Sequence, residues 1–214
     1  MEFVTDFADQ AVLLPLAATV AATLALAGWR RGALAWITVI GGTLALVLML
    51  KLASAIFGHV LPDGELRSPS GHTAMAGTVY GGLLAGFARR LTGHDRWSLA
   101  CVVTVVAVIG ASRLALDMHT VLDVAVGAVV GAGGAMALNR LAGVPPPTMR
   151  LVPIAAAALL VIATFHGAHL VVEAAIRDAA MVAVGRQACE QQNCADPHCG
   201  RRCPNHGTRR NSAE

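Results

Sequence analysis

Charge is scarce in this chain. Only 14% of its 214 residues are Asp, Glu, Lys or Arg, against about 25% in a soluble globular domain. Charge is absent altogether from Ala11 to Trp29, Ala33 to Leu50, Thr73 to Ala88, Trp97 to Ser112 and Leu151 to Val172, and Thr120 to Leu138 holds a single acid, Asp123. Soluble helices alternate polar and apolar faces. These runs do not, which argues against a soluble bundle. A basic leader is missing too: the residues ahead of the first run include the acids Glu2, Asp6 and Asp9, which argues against a secretory signal peptide. No repeat of solenoid period and no coiled-coil heptad is present.

What is there is apolar length. The mean hydropathy is +0.62, and a spanning helix takes about 20 apolar residues. The six runs predict six transmembrane helices, the two shorter ones completed by flanking residues. The fold expected is all-α, an integral membrane six-helix bundle over residues 1–184, with a polar tail over 185–214. Val144-Pro145-Pro146-Pro147 is a rigid break between the last two spans. Ala, Gly and Val outweigh Leu, and Gly127-x-x-x-Gly131 has the spacing that lets helices approach closely in lipid.

The net charge of +3 says less than its distribution. Six spans put the N-terminus, the loop Lys51–His72, the loop Arg113–His119 and the C-terminus on one side. The opposite loops carry Arg30 and Arg31, then Arg89, Arg90 and Arg96, then Arg140 and Arg150. The positive-inside rule makes those basic loops cytoplasmic. The other side then faces the periplasm or exterior, and the expected location is a bacterial inner (plasma) membrane.

Two polar clusters fall on that outer side, at the ends of spans, where ionisable residues are costly and point to function. The first is Arg67-Ser68-Pro69-Ser70-Gly71-His72, and the second is Ser112-Arg113-x5-His119-x3-Asp123. Four residues apart, His119 and Asp123 are expected on one helix face. The carboxylate would orient the imidazole and leave its other nitrogen as a nucleophile. Arg113 offers a planar fork for phosphate. In the first cluster Pro69 and Gly71 shape a turn, and the helix expected to begin near His72 presents free N–H groups to an anion. Ser70 adds a hydroxyl, Arg67 a charge and His72 a proton for a leaving oxygen. The structural alternatives are a helix cap for Ser70 and Gly71, packed histidines, and an Arg113–Asp123 ion pair. Asp117 is expected solvated, His94 inert, and His166 and His169 in packing or interfacial roles.

Together, P-S-G-H and S-R-x5-H-x3-D resemble the type 2 phosphatidic acid phosphatase superfamily, which also holds the vanadium haloperoxidases and bacterial acid phosphatases. The resemblance covers roughly Lys51 to Leu138, and the six-span layout resembles the membrane members of the superfamily. It implies that His119 attacks phosphorus to form a phosphohistidine, that Asp123 supports it, and that His72 is the general acid. It implies that Ser70, Gly71 and Arg113 hold the phosphate oxygens, with no metal or other cofactor. The family's first motif, K-x6-R-P, is incomplete: Lys51 supplies the lysine, but Gly58 stands where arginine is expected. Arg67, the only arginine of that loop, is the candidate replacement; the alternative for Lys51 is snorkelling to the interface.

The substrate expected is a lipid phosphate or prenyl diphosphate, with phosphatidic acid, phosphatidylglycerol phosphate and undecaprenyl diphosphate all compatible. No nucleic-acid partner is expected. The competing readings are a vanadate-dependent haloperoxidase, a phosphotransferase, and a degenerate lipid-phosphate binder without turnover. The tail holds Cys189, Cys194, Cys199 and Cys203 with His198 and His206. It lacks a common C-x2-C zinc spacing. Outside the cell two disulfides are the expectation; zinc ligation and free thiols are the alternatives. Cys101, inside a span, reads as an apolar filler.

Overall fold

The computed structural model describes residues 2–57 and 68–167. Arg67, His169, the 184/185 boundary and the cysteine tail lie outside the described residues. The described chain is all-α. A short helix α1 (Glu2–Asp6) leads into α2 (Gln10–Leu26), capped by Asp9, whose side chain accepts from Ala11 N. Then come α3 (Arg30–Phe57), α4 (Gly71–Ala76), a single π-helical turn (Gly77–Gly81), α5 (Gly82–Thr92), α6 (Asp95–Ala115), α7 (Val121–Ala142) and α8 (Leu151–Phe165).

Among the described residues, four segments are long and apolar enough to cross a membrane: Phe3–Leu26, Arg30–Ser54, Asp95–Ala115 and Val121–Ala142. Large apolar side chains such as Ile37, Val103, Val129 and Leu160 point outward. A water-facing surface does not carry apolar groups on this scale. The chain is a membrane protein. The third expected span is observed as α4, the π turn and α5 in unbroken succession. Residues 168–172 of the sixth expected span lie outside the described residues. Its helix stops at Phe165, and Gly167 follows at φ +83°, a left-handed conformation that suits glycine at a helix end.

The bundle is centred on α7, which packs against α3, α4, the π turn, α5 and α6. Its buried stripe is Asp123, Val124, Gly127, Gly131, Ala135, Leu138 and Ala142, the spacing of one helix face. Gly127 and Gly131 let α4 approach at backbone distance. A Cβ at Gly127 would sit 2.5 Å from the Ser70 carbonyl oxygen, and one at Gly131 would sit 2.8 Å from that of Ala74. On the far side, α2 packs against α3 and α8, and Trp36 Nε1 donates to the Ala17 carbonyl at 2.9 Å. The arginine-bearing loops gather at one end. Arg31 Nε donates to Leu141 O, Arg89 Nη1 to Asn139 O and Arg90 Nη2 to Pro147 O.

Candidate active site

The opposite end gathers the two polar clusters. The first begins where the chain returns at Ser68 and enters α4. Ser70 is the N-cap of that helix: its Oγ lies 3.0 Å from Thr73 Oγ1 and accepts from Thr73 N at 3.4 Å. Serine favours this position because it satisfies an N–H that the helix itself leaves unpaired. The helix therefore starts at Gly71, one residue before His72. Ser70 is fully buried, and its oxygen accepts at the helix start, the cap foreseen for it as the structural alternative.

The second cluster is set by the turn from α6 to α7. Arg113 lies in the last turn of α6, buried at 3% exposure, and its carbonyl accepts from Met118 N at 3.2 Å. Asp117 takes a left-handed φ of +52°, which Asp tolerates better than most residues. That reversal delivers His119 and Thr120 to the start of α7. Thr120 is the N-cap. Its Oγ1 accepts from Asp123 N at 3.1 Å, while Thr120 N donates to Asp123 Oδ2 at 3.2 Å. This reciprocal capping box fixes the Asp123 carboxylate.

His119 and Asp123 meet, though not as neighbours on one helix face, because His119 precedes α7. The carboxylate folds back over the helix start, and His119 Nδ1 lies 3.7 Å from Asp123 Oδ2, with both side chains nearly buried. That distance is an electrostatic contact, longer than a hydrogen bond. It leaves Nε2 on the far side of the ring from the carboxylate.

Asp123 also joins the clusters. Ser68 N donates to Asp123 Oδ1 at 2.9 Å, and Ser70 N donates to the Asp123 carbonyl at 3.0 Å. Lys51, buried on α3, donates from Nζ to Ser68 Oγ at 3.3 Å. Its Cε lies 3.4 Å from where a Cβ at Gly71 would be. The ammonium therefore turns inward to this turn. Lys51, Ser70, Gly71, Asp123 and His119 are thus linked through these contacts or adjacency in the chain, and His72 and Arg113 sit one position from Gly71 and Ser112 respectively.

Thr73, Ser68 and Thr120 were not singled out by sequence reasoning as positioning groups. Thr120-x-x-Asp123 carries the capping-box signature that would have found one of them. Thr5 was missed as well; its Oγ1 donates to Ser112 Oγ at 3.2 Å and brings α1 to this end. His166 packs with Phe3 and Phe7, ring centroids 4.6 Å from each.

A family model for the PAP2 superfamily matches residues 15–144, more than half of the chain. The chain belongs to the PAP2 superfamily. Membership assigns it phosphatase-type hydrolysis of a phosphorylated substrate. Comparison with curated proteins finds no match, and comparison with solved structures finds none either.

Proposed function

We propose that the chain is a membrane lipid phosphatase acting through a phosphohistidine, without a metal. The observation that carries this reading is the double role of Asp123, which takes the Ser68 N–H and faces the His119 ring. One carboxylate thereby couples the loop that would cradle phosphate to the group that would attack it. With Nδ1 toward Asp123, His119 Nε2 is the nucleophile. It bonds to phosphorus as the P–O bond to the lipid breaks, and His72 gives the leaving oxygen its proton. Water then attacks the phosphohistidine, His72 takes a proton from it, and inorganic phosphate leaves. Arg113, Lys51, the Gly71 N–H, the Ser70 hydroxyl and Arg67 are assigned to the phosphate oxygens, where fixed donors lower the transition state most.

The substrate is a lipid phosphate or prenyl diphosphate. Its tail stays in the bilayer while its head reaches the polar end. Gathering of Arg31, Arg89 and Arg90 at the other end supports an orientation with that end cytoplasmic. The site then opens on the periplasmic side of a bacterial inner membrane.

The test is phosphate release by purified protein in detergent, from a panel of lipid phosphates and prenyl diphosphates with EDTA present. Metal-independent release that is lost in His119→Ala is the expected result. No release from any lipid by a folded protein would leave a binder without turnover. Loss in Arg67→Ala would assign that arginine to the site.

A further inference from the structure

The basic end of the bundle holds an opening of its own. Between α5, α6 and α7 lies a groove of about 470 Å³. Three arginines, Arg89, Arg96 and Arg140, and one acid, Asp95, line its polar rim. Asp95 is already engaged, with Oδ1 2.9 Å from Arg89 Nε. Among the described residues no carboxylate lies within ion-pair distance of Arg96 or Arg140. Both are exposed, and both line the same groove. The rim therefore carries an excess of two positive charges.

Ser98 and Asn139 add neutral polar groups, each already bonded to a backbone carbonyl, and the remaining wall is apolar. Leu99, Val102 and Met136 continue the groove away from the rim along α6 and α7. Leu99 is 54% exposed, so this wall opens on the surface rather than into the core. Beside it, the Arg96 guanidinium lies 5.8 Å over the Trp97 ring. Tryptophan and arginine mark the headgroup level of a membrane-spanning helix. A charged rim at that level above an apolar slot fits an amphipathic anion: headgroup oxygens on guanidinium forks, an acyl chain against the slot.

We infer that this groove binds an anionic phospholipid of the leaflet at the basic end. It is a different site from the candidate active site. Asp123 and Arg140 stand 17 residues apart on α7, roughly 25 Å along the axis. The inference does not depend on the phosphatase reading. The bound lipid ties the ends of α6 and α7 together, the two helices that carry Arg113 and Asp123 at their other ends.

The experiment is native mass spectrometry of the full chain in nonionic detergent, titrated with dioleoyl phosphatidylglycerol or dioleoyl phosphatidylcholine. One phosphatidylglycerol should be retained per chain, at least about tenfold more tightly than phosphatidylcholine. The double variant Arg96→Gln/Arg140→Gln should weaken it about tenfold or more, since each arginine near a charged lipid surface contributes on this scale. Arg30→Gln/Arg150→Gln, at the same end but outside the groove, should leave it within twofold, as should His119→Asn. Equal retention of the two lipids, or retention unchanged in Arg96→Gln/Arg140→Gln, overturns the inference. So does competition by inorganic phosphate alone, which would indicate a small-anion site. Should the double variant misfold, wild-type protein photo-crosslinked to a diazirine-bearing phosphatidylglycerol decides: label on Leu99, Val102 or Met136 supports the groove, and label confined elsewhere overturns it.

Discussion

The Ser68 N–H donates to Asp123 Oδ1 at 2.9 Å, across 55 residues of chain. A second bond, from Ser70 N to the Asp123 carbonyl, runs beside it. The two bonds pin the P-S-G-H turn to the start of α7. Asp123→Ala removes the acceptor of two N–H groups, Ser68 and Thr120. An orphaned buried donor costs about 1–3 kcal/mol, so a clear fall in melting temperature is expected. Phosphate release should fall by at least about 100-fold, because His119 loses the group that orients it. Asp123→Asn keeps one carbonyl acceptor and should melt closer to wild type, yet lose a similar factor in rate. Wild-type turnover in Asp123→Asn would remove the carboxylate from the chemistry and leave it as a clamp.

Gly127 is the contact point beneath that clamp. A Cβ there would lie 2.5 Å from the Ser70 carbonyl oxygen and 3.2 Å from Ser70 Cβ. The oxygen belongs to backbone, so it cannot swing aside cheaply. Gly127→Ala should destabilise by about 1–3 kcal/mol and slow phosphate release by shifting Ser70 relative to α7. Gly133 lies on the same helix with nothing within 4 Å of a Cβ, so Gly133→Ala should be close to neutral in a thermal melt. Equal behaviour of the two variants would contradict the close packing of α4 on α7.

Much of this was legible in the sequence because membrane helices leave a plain signal: the uncharged runs gave the order of the long helices, though not α1 or the π turn that divides the third run. The arginines gave their common end, and Gly127 and Gly131 the close approach. What was not legible follows from chain-terminal and turn physics. His119 and Asp123 were expected to share a helix face, but Thr120 caps the helix between them, and periodicity carries no record of where a helix starts. Nor does apolarity record the break at the end of α8, where the helix stops at Phe165 ahead of Gly167 inside an uncharged run. The inward turn of Lys51 was one of two alternatives, since a lysine at a span end reads the same whether it faces lipid headgroups or the bundle.

Lys51 supplies the next test. It is buried, with Nζ 3.3 Å from Ser68 Oγ and its stem against Gly71. Lys51→Met keeps most of the stem and removes the charge. If the ammonium helps balance phosphate charge, kcat/KM should drop about tenfold or more, with little change in melting temperature. A drop in stability with unchanged kcat/KM would make Lys51 a structural partner of Ser68.

Thr120 separates positioning from chemistry. Its hydroxyl accepts from Asp123 N at 3.1 Å, but its own N–H to Asp123 Oδ2 is backbone and survives any side-chain change except proline. Thr120→Val therefore breaks half of the capping box. Loss of such a cap costs about 1 kcal/mol. The Asp123 carboxylate stays in place on its remaining bonds, so phosphate release should fall only about three- to tenfold, far less than in Asp123→Ala. The loss should appear in kcat more than in KM, because the affected group faces His119 and not the lipid. Thr120→Ser restores the hydroxyl acceptor and should recover both stability and rate. If Thr120→Val matches Asp123→Ala in rate, the hydroxyl itself acts at the reacting centre; if Thr120→Ser fails to rescue, the capping box is not what places the carboxylate.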